Sequence, residues 1–336
     1  MTSRTMTFRL LLSSLPLLLL PWSQSTLAEP RDQGSLPMPA HTYEITDFTG
    51  ISADGDTQLM IEGGEHYSVK ISANLPQDPQ GQFRDLQVVK KNGRLVISQG
   101  KVDTGWLSKV KDALGMGDGS ERLQVKAVVT LPTLSELRLQ GHALAWVKDI
   151  RSKELMINLS DSSYLKQLQG NVQALSLKMT DHSRVGELSL VKPAESVAIN
   201  MQESSSIRSL DLSHGVNQLP VRLAGVSNIR QAEGRVEQLD ARFSGSSNLN
   251  LSALQAHHVN VDGRDTANAR VQVVKLLDGQ MQGSAHLDYI EMGTPQIGVS
   301  SGLFSAVNPE ATDISEPLQM TPATVRNLQY SHALAI

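Results

Sequence analysis

Between residues 134 and 307, short turns rich in Gly, Ser and Asp recur about every twenty residues, and self-similarity at such a period marks a chain built of stacked repeats. One anchor per turn gives Gly141, Asp161, Asp181, Glu203, Gly225, Gly245, Gly263, Gly283 and Gly302, spaced 18 to 22 residues apart. In a stack, residues at one offset lie above one another, so each offset should keep one chemical character. Two residues before the first eight anchors stand Leu139, Leu159, Met179, Met201, Leu223, Phe243, Val261 and Met281, all apolar. Four before stand Leu137, Ile157, Leu177, Ile199, Val221, Ala241, Val259 and Gly279, and six before, Leu155, Leu175, Val197, Leu219, Leu239, His257 and Leu277. Polar residues such as Ser176, Lys178 and Thr180 alternate with them. A period of two describes a strand with one buried face and disfavours the 3.6-residue period of helical repeats.

After the anchor, serine holds one offset in Ser163, Ser183, Ser205, Ser227 and Ser247, and two residues later come Leu165, Val185, Ile207, Ile229 and Leu249. Each repeat thus supplies a strand, a tight turn and a second strand. The expected fold is all-β, a single-stranded right-handed β-helix or β-solenoid with coils of about twenty residues, rising about 4.8 Å per level.

The rest of the 336 residues divides around this repeat. Arg4 and Arg9, the apolar run Leu10 to Leu20 and the small residues at Thr26-Leu27-Ala28 read as a secretory signal peptide over residues 1–28. Residues 29–41 read as a linker. Residues 42–131 read as an N-terminal β region, with hairpins turning at Gly63-Gly64 and Asn92-Gly93, that begins the solenoid and caps its lower edge. Within it, residues 101–121 place Trp106, Leu107, Val110 and Leu114 at near-helical spacing, as an excursion. Residues 132–307 are the solenoid repeats, and 308–336, with Pro309, Pro317 and Pro322, read as a C-terminal tail.

Composition narrows the function classes. The chain has no Cys, which removes disulfides, thiolate metal sites and a Cys nucleophile, and in an exported protein fits a Gram-negative envelope. It carries 30 Lys and Arg against 34 Asp and Glu; losing Arg4 and Arg9 with the leader leaves 28 against 34, an acidic balance that speaks against nucleic acid. No other segment reaches the roughly twenty apolar residues of a membrane helix.

Several stretches together resemble the auto-transporter adhesin head domain of the GIN type: Asp47-Phe48-Thr49-Gly50-Ile51, Gly93-Arg94-Leu95-Val96-Ile97, Leu131-Pro132-Thr133-Leu134 with Leu137 and Gly141, and a closing Tyr289, Gly293, Pro295 and Ser301-Gly302. The resemblance covers roughly residues 44 to 307 and implies a β-helical fold, an adhesive or surface role and no established chemistry. Turns reading Asp-Ser-Ser, Asp-His-Ser or Glu-Ser-Ser depart from the family's usual Ser-Gly-Ser. No run of ten-residue lipid-facing strands follows Val307, so the chain is not expected to be an autotransporter by itself.

Candidate chemistry is sparse, and no cofactor or metal is expected. Gly298-Val299-Ser300-Ser301-Gly302 matches the G-x-S-x-G elbow, but that motif needs a helix after its serine, where another strand is expected. Asp161, Asp181 and Glu203 would stack as carboxylates, serving either as an acid or calcium column or as turn residues bonding nearby backbone. His257 and His258, adjacent on a strand, should face opposite ways and not chelate together. The candidate ligand-binding residues are Arg138, Lys178, Arg222 and Arg242. They lie three residues before successive anchors, in an outward column with Asn158, Asn200, Asn260 and Gln280 that holds no acid. Such a column suits an anionic envelope or surface polysaccharide; another envelope protein is the alternative partner. The chain is therefore read as an exported, non-catalytic adhesin-like binding or scaffold module, periplasmic or at the cell surface. The competing class is a polysaccharide-active β-helix enzyme, a lyase or hydrolase, which would gather acids and bases on two or three adjacent levels.

Overall fold

The computed structural model describes residues 39–75, 77–79, 82–84, 86–99 and 124–310. The leader, the 101–121 excursion and the tail beyond residue 310 lie outside these residues. In chain order the strands are β1 (Ala40–Tyr43), β2 (Gly50–Ala53), β3 (Thr57–Gly63), β4 (Ser68–Ala73), β5 (Leu86–Lys91), β6 (Arg94–Gln99) and β7 (Val125–Leu131). There follow β8 (Glu136–Leu139), β9 (Leu144–Leu159), β10 (Tyr164–Met179), β11 (Arg184–Leu190), β12 (Ala194–Met201), β13 (Ser206–Leu223) and β14 (Asn228–Ile229). The last are β15 (Ala232–Phe243), β16 (Asn248–Gly263), β17 (Asn268–Met281), β18 (His286–Glu291), β19 (Gln296–Ser301) and β20 (Ala306–Glu310). The protein is an all-β solenoid with coils of about twenty residues.

The alternation read in the sequence sorts side chains to the two faces of each strand. In β12, Val197, Ile199 and Met201 are buried and Asn200 is not; in β15, Leu239, Ala241 and Phe243 are buried while Arg242 is exposed. Strands before each turn form one parallel ladder through β6, β2, β8, the ends of β9 and β10, β12, and on to β19. Strands after each turn form a second, through β7, β3, the starts of β9 and β10, β11, and on to β20. The long strands belong to both ladders and change register at a corner, as β10 does on β9 between Leu165 and Gln167 and again between Leu168 and Gly170.

The turn between the ladders is made by one residue in the left-handed region: Gly141, Asp161, Asp181, Glu203, Gly225, Gly245, Asp265 and Gly283 all have φ between 57° and 74°. The seventh anchor is therefore Asp265, not Gly263. Gly263 ends β16 as a buried residue paired with Phe243 and Met281. A Cβ there would stand 2.6 Å from the Met281 side chain and 2.7 Å from the Phe243 ring, so glycine at this position makes room for two large neighbours. The corrected spacing puts Val259, Val261 and Gly263 in the buried columns and removes His257 from them. The last turn likewise falls on Leu303 and Phe304, one residue beyond Gly302.

Residues 42–131 hold the larger topological surprise. β5 and β6 form the hairpin at Asn92-Gly93, but β3 and β4 do not pair. β7 lies between them, parallel to β3 and antiparallel to β4, so the Gly63-Gly64 turn is not a hairpin. The coil β2–β3, first in the chain, is sandwiched between β6–β7 on one side and β8–β9 on the other. Antiparallel β5 covers β6, and β4 with β1 covers β7; a parallel stack that ended there would offer open edges for pairing.

The register is tested by charge burial. Met201 and Leu223 are fully buried partners on neighbouring levels, so Met201→Asp or Leu223→Asp should each destabilise by about 4 kcal/mol or more in urea titrations. Asn200→Asp, outward beside Lys178 and Arg222, should leave the midpoint nearly unchanged; equal damage from both kinds of change would refute this register.

Candidate functional site

Arg138, Lys178, Arg222 and Arg242 each sit between two buried strand residues, and that parity turns all four outward, where they are exposed. Ladder pairing places them in one column: Ser52, Arg138, Asn158, Lys178, Asn200, Arg222, Arg242, Asp262, Gln280 and Ser300 are successive register partners. Asn260 is not among them, because the anchor at Asp265 moves the column to Asp262; Asn260 pairs with Asp240 and donates to its carboxylate at 3.2 Å. The column is therefore not free of acid: a carboxylate follows Arg242.

The four cations are not equivalent. Arg138 is engaged by Glu136 at 2.5 Å, and the same carboxylate takes Arg94 at 3.5 Å. Arg242 lies 4.0 Å from Asp240. Among the described residues neither Lys178 nor Arg222 has a carboxylate partner. Arg222 and Arg242 are direct ladder partners, and like charges opposed on adjacent strands repel.

They also line one groove, of about 420 Å³, with Asn200, Gln202, Ser244, Arg264 and one carboxylate, Asp262. Arg264 was not legible as a site residue, since the misplaced anchor put it beyond the turn. Two of its guanidinium nitrogens, Nε and one Nη, each donate to Asp262 at 3.0 Å. This bidentate bond and the charge of Asp262 raise the Arg264 pKa further above its ordinary value. The sequence signal that marks the pair is an acid and an arginine two residues apart, Asp262 near the end of β16 and Arg264 just beyond it.

The other candidates take structural roles. Asp161 and Asp181 sit in left-handed turns, where their carboxylates accept the N–H of the turn residue one level below: Gly141 to Asp161 at 3.0 Å and Asp161 to Asp181 at 3.1 Å. Asp265 accepts from Gly245 in the same way, at 2.8 Å. For Asp181 the N–H of Asp161, followed by the Thr180 hydroxyl at 2.9 Å, holds the carboxyl below its ordinary value. Ser300 lies in β19, its hydroxyl donates to Gly279 O at 3.3 Å, and strand β20 follows rather than a helix. His257 and His258 do not face opposite ways: the Nδ1 atoms of both approach Glu237 of the neighbouring strand β15, at 2.5 and 3.6 Å. The His257 hydrogen bond foremost, then the charges of His257, of Lys275 at 3.8 Å and of His258, keep Glu237 below the usual carboxylate range. Among the described residues no three His, Asp or Glu side chains converge as a metal site.

A family model described as "Putative auto-transporter adhesin, head GIN domain" matches residues 47–193 and 186–293. No curated protein matches the sequence. Among solved structures, a protein titled "Putative lipid binding protein" from Parabacteroides distasonis is similar over 82% of this chain and 97% of its own, at 14% identity and a TM-score of 0.53. At this identity the likeness speaks for the fold alone. A protein titled "putative adhesin" from Parabacteroides merdae is similar over 83% and 98%, at 15% identity and a TM-score of 0.48.

The turn carboxylates predict an acid-side signature. A carboxyl held low in the folded state contributes stability above its ordinary pKa of about 3.9 and loses it as pH falls through the folded value. Asp181→Asn should therefore cost stability near neutrality, and its gap from the wild type in urea midpoint should narrow between about pH 6 and about pH 3. A gap independent of pH would show that the Asp181 charge takes no part.

Proposed function

This chain belongs to the auto-transporter adhesin head GIN domain family, and we propose that it is an exported, non-catalytic binding module whose cationic column holds an extended anionic polymer, such as an acidic envelope polysaccharide. The observation that carries the reading is the Arg222–Arg242 pair. Two guanidinium groups are held opposite one another by the ladder; Arg242 has Asp240 at 4.0 Å while Arg222 has no carboxylate partner among the described residues, and an anion between the two would relieve their repulsion. Asn200, Gln202 and Ser244 border the same groove and supply neutral hydrogen-bonding groups between charges. Lys178, one level beyond Asn200, extends the track. A polymer with an anion every few ångströms would lie along the stack, its repeat matched to levels about 4.8 Å apart. Asp262 sets the end of the cationic track and holds Arg264 at its border.

Export rests on the leader read at residues 1–28 and accords with an adhesin-type family; a mature N-terminus at Glu29 in the envelope fraction is the corresponding outcome. The binding test is salt-dependent retention on an immobilised polyuronate. The wild type should be retained at low salt and eluted as salt rises, since the contacts are exposed ion pairs. Arg222→Glu/Arg242→Glu should abolish retention with an unchanged melting temperature. Equal retention of the double variant, or no retention of the wild type, would refute the reading.

A further inference from the structure

A second outward face departs from the polar pattern of the rest of the ladder. Met60 of β3 is the register partner of Val128 in β7 on one side and of Trp146 in β9 on the other. Leu59 and Ile61, Ala127 and Val129, and Ala145 and Val147 are buried on either side of these three residues. Strand parity therefore turns Met60, Val128 and Trp146 to solvent; Met60 is 48% and Val128 40% exposed. The result is an apolar strip running across three adjacent strands, about 10 Å from end to end.

Lysines bound this strip. Lys70 of β4 is the register partner of Val128 and closes one end. At the other end the Lys166 ammonium lies 5.0 Å from the centre of the Trp146 ring. Lys126 and Lys148, two residues along the strands from Val128 and Trp146, flank it, and Glu62 is the one carboxylate in the lining of the groove, whose volume is about 610 Å³. This volume suits a single small molecule rather than a polymer. An apolar floor calls for a hydrocarbon tail, and the three ammonium groups of the lining, Lys70, Lys126 and Lys148, call for an anionic head. Because Lys166 already occupies a face of Trp146, the ring is not a free platform for stacking a sugar.

We propose that this groove binds one molecule of an anionic amphiphile, an acyl or alkyl chain ending in a phosphate, taken up from solution, with the chain along Val128, Met60 and Trp146 and the head among the lysines. The site is separate from the Arg222–Arg242 column, which lies on the strands before the turn rather than after it. Calorimetric titration of the full chain with dodecyl phosphate below its micelle concentration should give saturable one-to-one binding. Dodecyl maltoside, with the same chain and a neutral head, should bind at least tenfold more weakly, and inorganic phosphate should give no signal. Met60→Glu and Lys70→Glu/Lys148→Glu should each weaken binding at least tenfold without lowering the melting temperature, since all three side chains point outward. Arg222→Glu/Arg242→Glu should bind dodecyl phosphate as the wild type does, which separates this site from the polymer column.

Other outcomes overturn the proposal. Equal affinity for dodecyl maltoside would mean unspecific apolar adsorption, and competition by inorganic phosphate a plain anion site. Co-sedimentation with phosphatidylglycerol vesicles without one-to-one amphiphile binding would mean a membrane surface instead. The chain has no native Cys, so Val128→Cys reports directly on cover. Its protection from a water-soluble maleimide, in a monomer or in a dimer by sedimentation, would mean that the chain itself or a second copy occupies the face.

Discussion

At almost every level the chain must pass from one ladder to the other within two residues, and one residue adopting left-handed backbone makes that possible. The constraint is costly for L residues, about 1–2 kcal/mol each, yet Asp161, Asp181, Glu203 and Asp265 accept it. The turn also couples levels. The residue after the anchor donates its N–H to the anchor carbonyl one level below, as Ser162 does to Gly141 and His182 to Asp161. Three of the Asp side chains return a bond to the turn N–H below. Two residues past the anchor the chain is inside the coil, where only small side chains stand: Ala143, Ser163, Ser183, Ser205, Ser227, Ser247, Ala267 and Ala285 are fully buried. Ser227 bonds the Ala224 carbonyl at 2.7 Å, which closes its turn from within. Once each turn is fixed, strand parity and ladder register follow, and with them every outward column.

The solenoid was legible because equivalent positions share one environment, so apolar alternation repeats with little noise. What was misread depends on what glycine is for. At Gly245 and Gly283 it supplies positive φ, whereas at Gly263 it supplies empty space between Phe243 and Met281, and the turn is made by Asp265 instead. That single slip displaced His257 into the core, put Asn260 in the cationic column in place of Asp262, and hid Arg264. The order of the first coils was not legible at all. Nothing local in β2 says that it pairs with β6 and β8 rather than with its sequence neighbours, and an alternating pattern serves parallel and antiparallel partners alike. The apolar strip was hidden for the same reason, since Met60, Val128 and Trp146 meet only through that order.

The interior and exterior of such a fold answer to different demands. Buried columns are held to a narrow choice by packing, so one level looks like the next. Outward columns carry no such restraint beyond solubility, and chemistry that recurs in register there becomes a continuous stripe rather than a point. In this chain two stripes differ in kind, one of guanidinium and amide groups before the turn and one of apolar side chains rimmed by ammonium groups after it. Both depend on the register fixed by the turns.

Oxidative crosslinking tests that register most directly, because the absence of native Cys leaves introduced pairs without competitors. Arg242→Cys with Asp262→Cys places the two thiols on ladder partners about 4.8 Å apart, within disulfide reach. Arg242→Cys with Asn260→Cys separates them by about 8 Å on the diagonal, beyond it. The account predicts a disulfide in the folded chain for the first pair, lost in urea, and none for the second. A disulfide between Cys at 242 and 260, and not between 242 and 262, would contradict it.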